Sequence, residues 1–329
     1  MALRETLQSA WYNGGPLPWW ARPVATLYGA ATGVRRWLFR HGWLRSERLP
    51  APVVVVGNLS VGGTGKTPLS IALAIELRRR GFKPGVVSRG YGGTQRKPLL
   101  LGDKPDPARV GDEPCLIHAS GTPVAVGRDR PAAARLLLAA GCDVVLADDG
   151  LQHYRLSRDV EICVVDGVRR FGNGRLLPAG PLREPLRRLQ RVDFCVNNGG
   201  IPAAGEIPMT LRSERAVNLH DAREQALVAF AGQRVHAVAG IGNPQRFFDS
   251  LRAAGMQVIE HRFDDHHRFA AADLAFAPDC PVLMTDKDAI KCADFARADW
   301  WRVPASAQLP AEFFAQLLQR LDARASATR

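Results

Sequence analysis

Cysteine is sparse and scattered in this 329-residue sequence: Cys115, Cys142, Cys163, Cys195, Cys280 and Cys292 form no CxxC pair, and no histidine stands beside them at a zinc-site spacing. A zinc module and a disulfide scaffold are thereby disfavoured, and the cysteines read as small buried hydrophobes of a reducing compartment. A secretory leader is missing, since Met1–Gln8 lacks a basic start followed by an apolar run. The longest charge-free stretch near the N-terminus, Pro23–Val34, is too short to span a bilayer. The expectation is therefore a chain that stays inside the cell. The guanine signature NKxD is absent too: in Thr285–Asp286–Lys287–Asp288 no residue separates Lys287 from Asp288, which argues against a GTPase switch. Finally, no acidic residue occurs between Glu5 and Glu47.

That last gap is filled with the opposite charge. Arg22, Arg35, Arg36, Arg40 and Arg45 lie within it, together with five of the seven tryptophans, Trp11, Trp19, Trp20, Trp37 and Trp43. The whole chain carries a formal charge of +12, which calls for an anionic partner. The basic excess sits beside tryptophans rather than on a motif that reads RNA or DNA, so no nucleic acid is expected. Residues 1–49 fit a helix lying on an anionic membrane surface, with rings at headgroup level and guanidinium groups on lipid phosphates. An amphipathic helix packed on the domain behind it, arginines in water, fits as well.

From Pro52 the pattern becomes α/β. The runs Val53–Val56, Val86–Val87, Val124–Val126, Val144–Ala147, Ile162–Val165 and Phe194–Val196 are short, rich in β-branched residues and bounded by Gly, Asp or Asn, as strands buried on both faces are. Helical segments Thr67–Arg80, Asp112–Ser120 and Arg130–Ala140 alternate with them. Residues 50–202 therefore predict a P-loop-type three-layer α/β/α domain. In 203–228 the rhythm breaks, and Met209–Arg212 with Arg215–Asn218 predict a β-hairpin linker. A smaller α/β domain follows over 229–329, with strands at Arg234–Gly240, Gln257–Glu260 and Val282–Thr285 and a closing helix Ala311–Arg324.

The chemistry centres on Ser60, Val61, Gly62, Gly63, Thr64, Gly65, Lys66 and Thr67, which follow a valine strand and open a helix. In such a loop successive backbone N–H groups wrap the phosphates of a nucleoside triphosphate at a helix N-terminus. Lys66 reaches the β- and γ-phosphates, and the Thr67 hydroxyl can ligate Mg²⁺. The usual first glycine is Ser60 here, with Gly62–Gly63 as compensation. A hydrophobic run ending in Asp148–Asp149 supplies carboxylates for the Mg²⁺ side. Spreading negative charge on a transferred phosphoryl group needs cations, for which Arg89, Arg128 and Arg183 are candidates, with Tyr91 beside Arg89. For a base, Asp112 and Glu113 stand at the start of a helix, where simple capping is the competing explanation. His266 and His267 lack a third metal ligand at useful spacing and read better as partners of a carboxylate or as a polar turn.

Several longer strings are more distinctive than the P-loop: Ser88–Arg89–Gly90–Tyr91–Gly92–Gly93, Gly111–Asp112–Glu113–Pro114, Asp148–Asp149–Gly150–Leu151–Gln152–His153, the run from Gly172 to Pro185, and Thr285–Asp286–Lys287–Asp288–Ala289. With the run from Gly57 to Pro68 they make the chain resemble the tetraacyldisaccharide 4′-kinase family, the lipid A kinases of Gram-negative bacteria, over nearly its whole length. The resemblance implies transfer of a phosphoryl group from ATP–Mg²⁺ to the 4′-hydroxyl of an acylated glucosamine disaccharide 1-phosphate at the cytoplasmic face of the inner membrane. It also implies two α/β/α domains joined by a two-stranded linker. The family's catalytic aspartate matches Asp112 and its partner histidine matches His266, and Gln152 and His153 fall on the substrate side with Arg89 and Tyr91. Asp264 stands where proline is expected and Asp286 where glutamate is; neither removes a reacting group. The rival expectation is a nucleotide-switched maturation or targeting factor, which would hydrolyse slowly with no acceptor.

Overall fold

In the computed structural model, which describes residues 2–276 and 280–327, two helices precede the first sheet: α1 (Ala2–Tyr12) and α2 (Ala21–Arg40). The first sheet takes β1 (Val53–Gly57), β2 (Pro84–Ser88), β3 (Leu99–Leu100), β4 (Val124–Val126), β5 (Val144–Ala147), β6 (Val160–Asp166), β7 (Phe194–Asn198) and β8 (Ile207–Arg212). Its helices are α3 (Lys66–Arg79), α4 (Pro107–Val110), α5 (Asp112–Ala119) and α6 (Arg130–Ala139). The second sheet takes β9 (Arg215–Asn218), β10 (Glu224–Ala226), β11 (Arg234–Ala239), β12 (Gln257–Arg262), β13 (Val282–Thr285) and β14 (Trp300–Val303), with α7 (Pro244–Ala253) and α8 (Asp286–Cys292). A last strand, β15 (Ser306–Gln308), and helix α9 (Ala311–Ala327) close the described chain.

The first sheet runs β15-β8-β7-β6-β1-β5-β2-β4-β3, parallel from β8 to β4. Central strand β1 shows why its sequence is an unbroken valine run. Val54 and Val56 pack with Leu69, Leu73 and Leu77 of α3 on one face, and Val53 and Val55 pack with Ala133 and Leu137 of α6 on the other. All four are buried, so neither face tolerates a polar residue. Each such valine contributes about 1.5 kcal/mol of transfer free energy.

The expected hairpin does not form. β8 pairs with β7 and with β15, while β9 pairs with β10 and β14, so the two segments belong to different sheets. A two-stranded connection exists, but the strand beside 207–218 is 300–308, far along the chain. The closing helix is also displaced from its expected domain. Phe313, Leu317 and Leu321 of α9 join the core cluster of the first sheet, and the Phe313 ring meets Phe194 edge-on at 5.3 Å. The second body therefore spans roughly the residues of β9 to β14, and the chain returns to the first domain through β15. Hydrophobic periodicity reports that a helix buries one face; it does not say against which sheet.

Helix α2 packs one face on the protein and leaves the other in solvent. On one, the Tyr28 hydroxyl donates to the Arg183 carbonyl at 3.1 Å, Arg35 donates to the Gln152 carbonyl at 3.1 Å, and Arg36 lies 3.8 Å from Glu184. On the other, Leu27, Val34 and Trp37 are exposed, with Trp19 and Trp43 exposed beyond the helix ends. Among the described residues no helix is long and apolar enough to cross a membrane.

Candidate active site

The loop after β1 is built by backbone constraints at its glycines. Gly62 (φ +110°) and Gly65 (φ +94°) lie in the left-handed region that favours glycine, and a Cβ on Gly65 would stand 2.3 Å from Asn198 Nδ2. That same Nδ2 donates to the Thr64 carbonyl at 2.9 Å, pinning the loop just before α3 begins. Ser60 is not among the residues with positive φ, so a side chain there costs no backbone strain and the missing glycine is harmless. The distinctive string before Pro185 packs against the loop: Val61 N–H donates to the Pro181 carbonyl at 2.9 Å, and Arg183 N–H to the Leu59 carbonyl at 2.6 Å.

Strand β5 delivers two carboxylates that differ in every respect. Asp148 is fully buried and accepts from Ser70 Oγ at 2.7 Å and Thr67 Oγ1 at 3.4 Å. Burial, with Glu113 adding to it, pushes its carboxyl up to about 6. Asp149 sits in the left-handed region (φ +48°), a strained position for a residue with a Cβ. Its carboxylate accepts from Arg183 Nη1 at 3.0 and 3.1 Å and lies 3.6 Å from Lys66 Nζ. Burial works against ionisation, but Lys66, Arg183 and Arg130 outweigh it and hold the carboxyl far below its ordinary value.

A second cluster forms across the gap between the two sheets. Asp112 is the first residue of α5, and its Oδ2 lies 3.1 Å from Nδ1 of His266, on a loop of the second domain. His266 also has a left-handed backbone (φ +66°), and the Tyr91 ring stands 5.2 Å from its own. The neighbours of this pair meet as well. Lys287 Nζ lies 3.0 Å from Asp265 and 3.5 Å from Glu113, so two consecutive residues of α5 face two consecutive residues of the loop. Burial raises the Asp112 carboxyl, but the His266 hydrogen bond and the charges of Lys291 and Lys287 outweigh that and leave it below its ordinary value. The expected helix-capping role of Asp112 is not seen, since no side-chain cap is formed at this N-terminus. His267 serves the loop itself, bonding Asp273 at 3.0 Å.

The P-loop end of the gap is also bridged. Arg169 donates to the Gly242 carbonyl at 2.9 Å and Arg246 to the Asn198 carbonyl at 3.1 Å. Gly242 lies so close that a Cβ there would be 2.8 Å from the Gly63 nitrogen.

This arrangement, a phosphate-binding loop and an aspartate held by a histidine from a second domain, meets a family model described as tetraacyldisaccharide-1-P 4′-kinase (LpxK), which matches residues 17–322. The chain belongs to that family. It is 52% identical over 323 residues to a tetraacyldisaccharide 4′-kinase of Stenotrophomonas maltophilia, covering 95% of each chain. Against that of Nitrosococcus oceani it is 50% identical, covering 94% of this chain and 93% of the relative. A crystal structure of LpxK from Aquifex aeolicus in complex with ATP superposes with a TM-score of 0.75 at 28% identity, covering 91% of this chain and 97% of that one. The chain is thus an ATP-dependent kinase of the lipid A pathway.

Within this kinase, the residues singled out from the sequence fall into three groups. Lys66, Thr67, Asp148, Asp149 and Arg183 converge at the loop, and Asp112, His266 and Tyr91 converge at the gap. Arg89 and Arg128 are exposed at the ends of β2 and β4. Gln152 donates to the Asn58 carbonyl at 3.0 Å and lies 3.5 Å from Glu184, so it ties its turn to the segments after β1 and before the turn Leu186–Arg191. His153 is pushed down to about 3, by burial first and then by Arg130, Arg158 and other surrounding arginines, and stays neutral.

Sequence reasoning passed over Arg130, two residues beyond Arg128. It is buried at the start of α6 and donates to the Asp149 carbonyl at 2.9 Å, fixing the strained turn. An arginine at the very start of a helix, ahead of the more usual surface position taken by Arg135, was the available signal. Lys287 is a second such residue, since nothing local to position 287 points to its pairing with Asp265 and Glu113.

Proposed function

We propose that this chain transfers the γ-phosphoryl group of ATP to the 4′-hydroxyl of an acylated glucosamine disaccharide 1-phosphate, with Asp112 receiving the hydroxyl proton. The observation that carries this reading is the 3.1 Å bond between His266 Nδ1 and Asp112. It supplies an ionised carboxylate, held in orientation by a histidine from across the gap. In the transfer, the acceptor oxygen bonds the γ-phosphorus, the bond to the β–γ bridging oxygen breaks, ADP leaves, and the proton goes to Asp112. Because the transition state is loose, the proton leaves late, and placement of the carboxylate outweighs its weak basicity.

On the donor side, Lys66 and Arg183 are held on Asp149. Phosphate oxygens compete for both cations, so Asp149 keeps them aimed at the site until nucleotide arrives. Thr67 Oγ1 and Asp148 Oδ2 are 3.4 Å apart, near the roughly 3 Å between adjacent oxygens around Mg²⁺, and hard oxygen donors are what that cation takes. These residues fit Mg²⁺, with Asp149 next in line. The cation, when bound, neutralises charge on the transferred group.

The same reading places the enzyme on an anionic bilayer, at the cytoplasmic face of the inner membrane, where such an acceptor is anchored. The exposed row Leu27, Val34 and Trp37 lies on the face of α2 away from the protein and suits burial at headgroup depth. Tyr28, on the inner face, bonds the backbone of Arg183 and ties this helix to the phosphate-binding site.

The test is incubation with γ-labelled ATP and the lipid disaccharide 1-phosphate. Label in the lipid product is expected, and it should be lost with Asp112→Asn while nucleotide binding survives. Label released only as inorganic phosphate, at a rate indifferent to acceptor, would refute the reading and favour a nucleotide switch.

A further inference from the structure

Outside the site described, an opening of about 350 Å³ lies between the C-terminal half of α2 and the short helical turn Leu186–Arg191. Its walls are Arg36, Arg40, Arg187, Arg188, Gln190 and Arg191. Five guanidinium groups around one opening repel one another unless something negative sits among them.

Two of the five are fixed by buried acids. Arg188 is only 5% exposed, bonds Glu161 at 2.5 Å and lies 3.7 Å from Glu184. Arg36 lies 3.8 Å from the same Glu184. These glutamates stand behind the opening and hold its floor. Among the described residues, Arg40, Arg187 and Arg191 have no carboxylate within ion-pair reach, so the rim keeps three charges with no internal counter-ion. Planar guanidinium groups with fixed donor forks are suited to phosphate oxygens. The opening adjoins α2, whose outer face is the exposed apolar row.

We propose that this opening binds a phosphate group carried by a lipid, distinct from the phosphoryl group that is transferred. Arg36 and Arg188 form a preset floor, and Arg40, Arg187 and Arg191 close over the anion from the rim. The phosphate belongs either to a bulk anionic phospholipid or to the acceptor's own 1-phosphate. Glu184 follows Arg183 directly, so an anion held here lies one residue from the arginine that grips Asp149. The proposal rests on the membrane-facing reading of α2, and the experiment separates the two.

The pocket variant Arg187→Gln/Arg191→Gln removes exposed rim charges and should fold normally. Its control, Arg22→Gln/Arg45→Gln, removes equal exposed charge from the N-terminal segment, outside the opening. Co-sedimentation uses phosphatidylcholine vesicles doped with phosphatidylglycerol, and kinetics use the acceptor in neutral detergent micelles with no other anionic lipid. If the opening takes bulk lipid, the pocket variant loses about tenfold more vesicle affinity than the control, with KM for the acceptor unchanged. If it takes the acceptor's phosphate, KM rises about tenfold in micelles in the pocket variant alone while kcat holds. Pocket and control variants that match in both assays overturn the proposal, whether or not the wild type binds vesicles. A wild type that ignores vesicles, with KM raised only in the pocket variant, overturns the membrane reading of α2 and keeps the site.

Discussion

Lys287→Met keeps the length of the side chain and deletes its charge, isolating the ionic clasp from the packing around it. At the 3.0 Å separation from Asp265, the gross attraction is about 5 kcal/mol at an effective dielectric near 20. Desolvation cancels much of that, and only the 3.5 Å contact with Glu113 spans the two domains. The cross-domain share is therefore about 1–2 kcal/mol. If Asp112 and His266 meet only when the domains are drawn together, the paired state falls in population and kcat drops roughly 5–30-fold. Nucleotide affinity should stay near wild type, because the P-loop is untouched. Single-turnover transfer from labelled ATP measures the step directly, and Lys287→Arg should restore most of it. A purely structural role would lower the melting temperature and leave single-turnover rates alone. Turnover within about twofold of wild type, with an intact fold, would mean that the clasp does not set the geometry of the pair.

Other outcomes follow from the same geometry. Lys66→Ala should abolish transfer at saturating ATP, and Asp148→Asn or Thr67→Ala should weaken the dependence on Mg²⁺, read by activity across a magnesium titration. Asp112→Asn should lower kcat on the order of 10²-fold or more, His266→Ala less, and the double variant should lose less than the product of the two, since the residues act as one unit. Independent, multiplying losses would break the pair. The Asp112 carboxyl lies below its ordinary value, so its contribution to stability is present above about pH 4 and lost as pH falls through the folded value. Removing His266 leaves burial less opposed, so the carboxyl-carbon NMR titration of Asp112 should move to higher pH in His266→Ala; an unmoved titration would show that the bond does not govern its charge. Trp19→Ser/Leu27→Ser/Trp43→Ser removes three exposed apolar groups and should weaken vesicle co-sedimentation on the order of 10²-fold, while unchanged binding would make α2 a packed helix only.

Much of the donor site is legible in the sequence because its logic is local. A buried strand, a loop of glycines at strained backbone angles and a helix N-terminus are consecutive, so Ser60–Thr67 announces itself. Asp148 and Asp149 are legible through the same rule, an apolar run that ends in acid. Arg130 escaped because its function depends on reaching the carbonyl of Asp149, a contact set by how α6 lies on β5 and not by any pattern at position 130. Arg128, two positions away, has the same composition around it and ends in solvent. The pairing of Asp112 with His266 was expected through resemblance; neither residue has a local signature that names the other.

By itself the sequence determined the alternation of strand and helix, the P-loop, and the basic, tryptophan-rich N-terminal segment. These follow from side-chain periodicity and backbone preference over a few residues. Only the tertiary structure decided which strands pair across 207–218 and 300–308, and that α9 returns to the first sheet. It also decided that Asp112 meets His266 across 154 positions of chain. Strand pairing uses backbone groups that every residue carries, and an apolar helix face fits any sheet of matching shape. The choice among such partners is made by the packing of the whole molecule, which no short window contains.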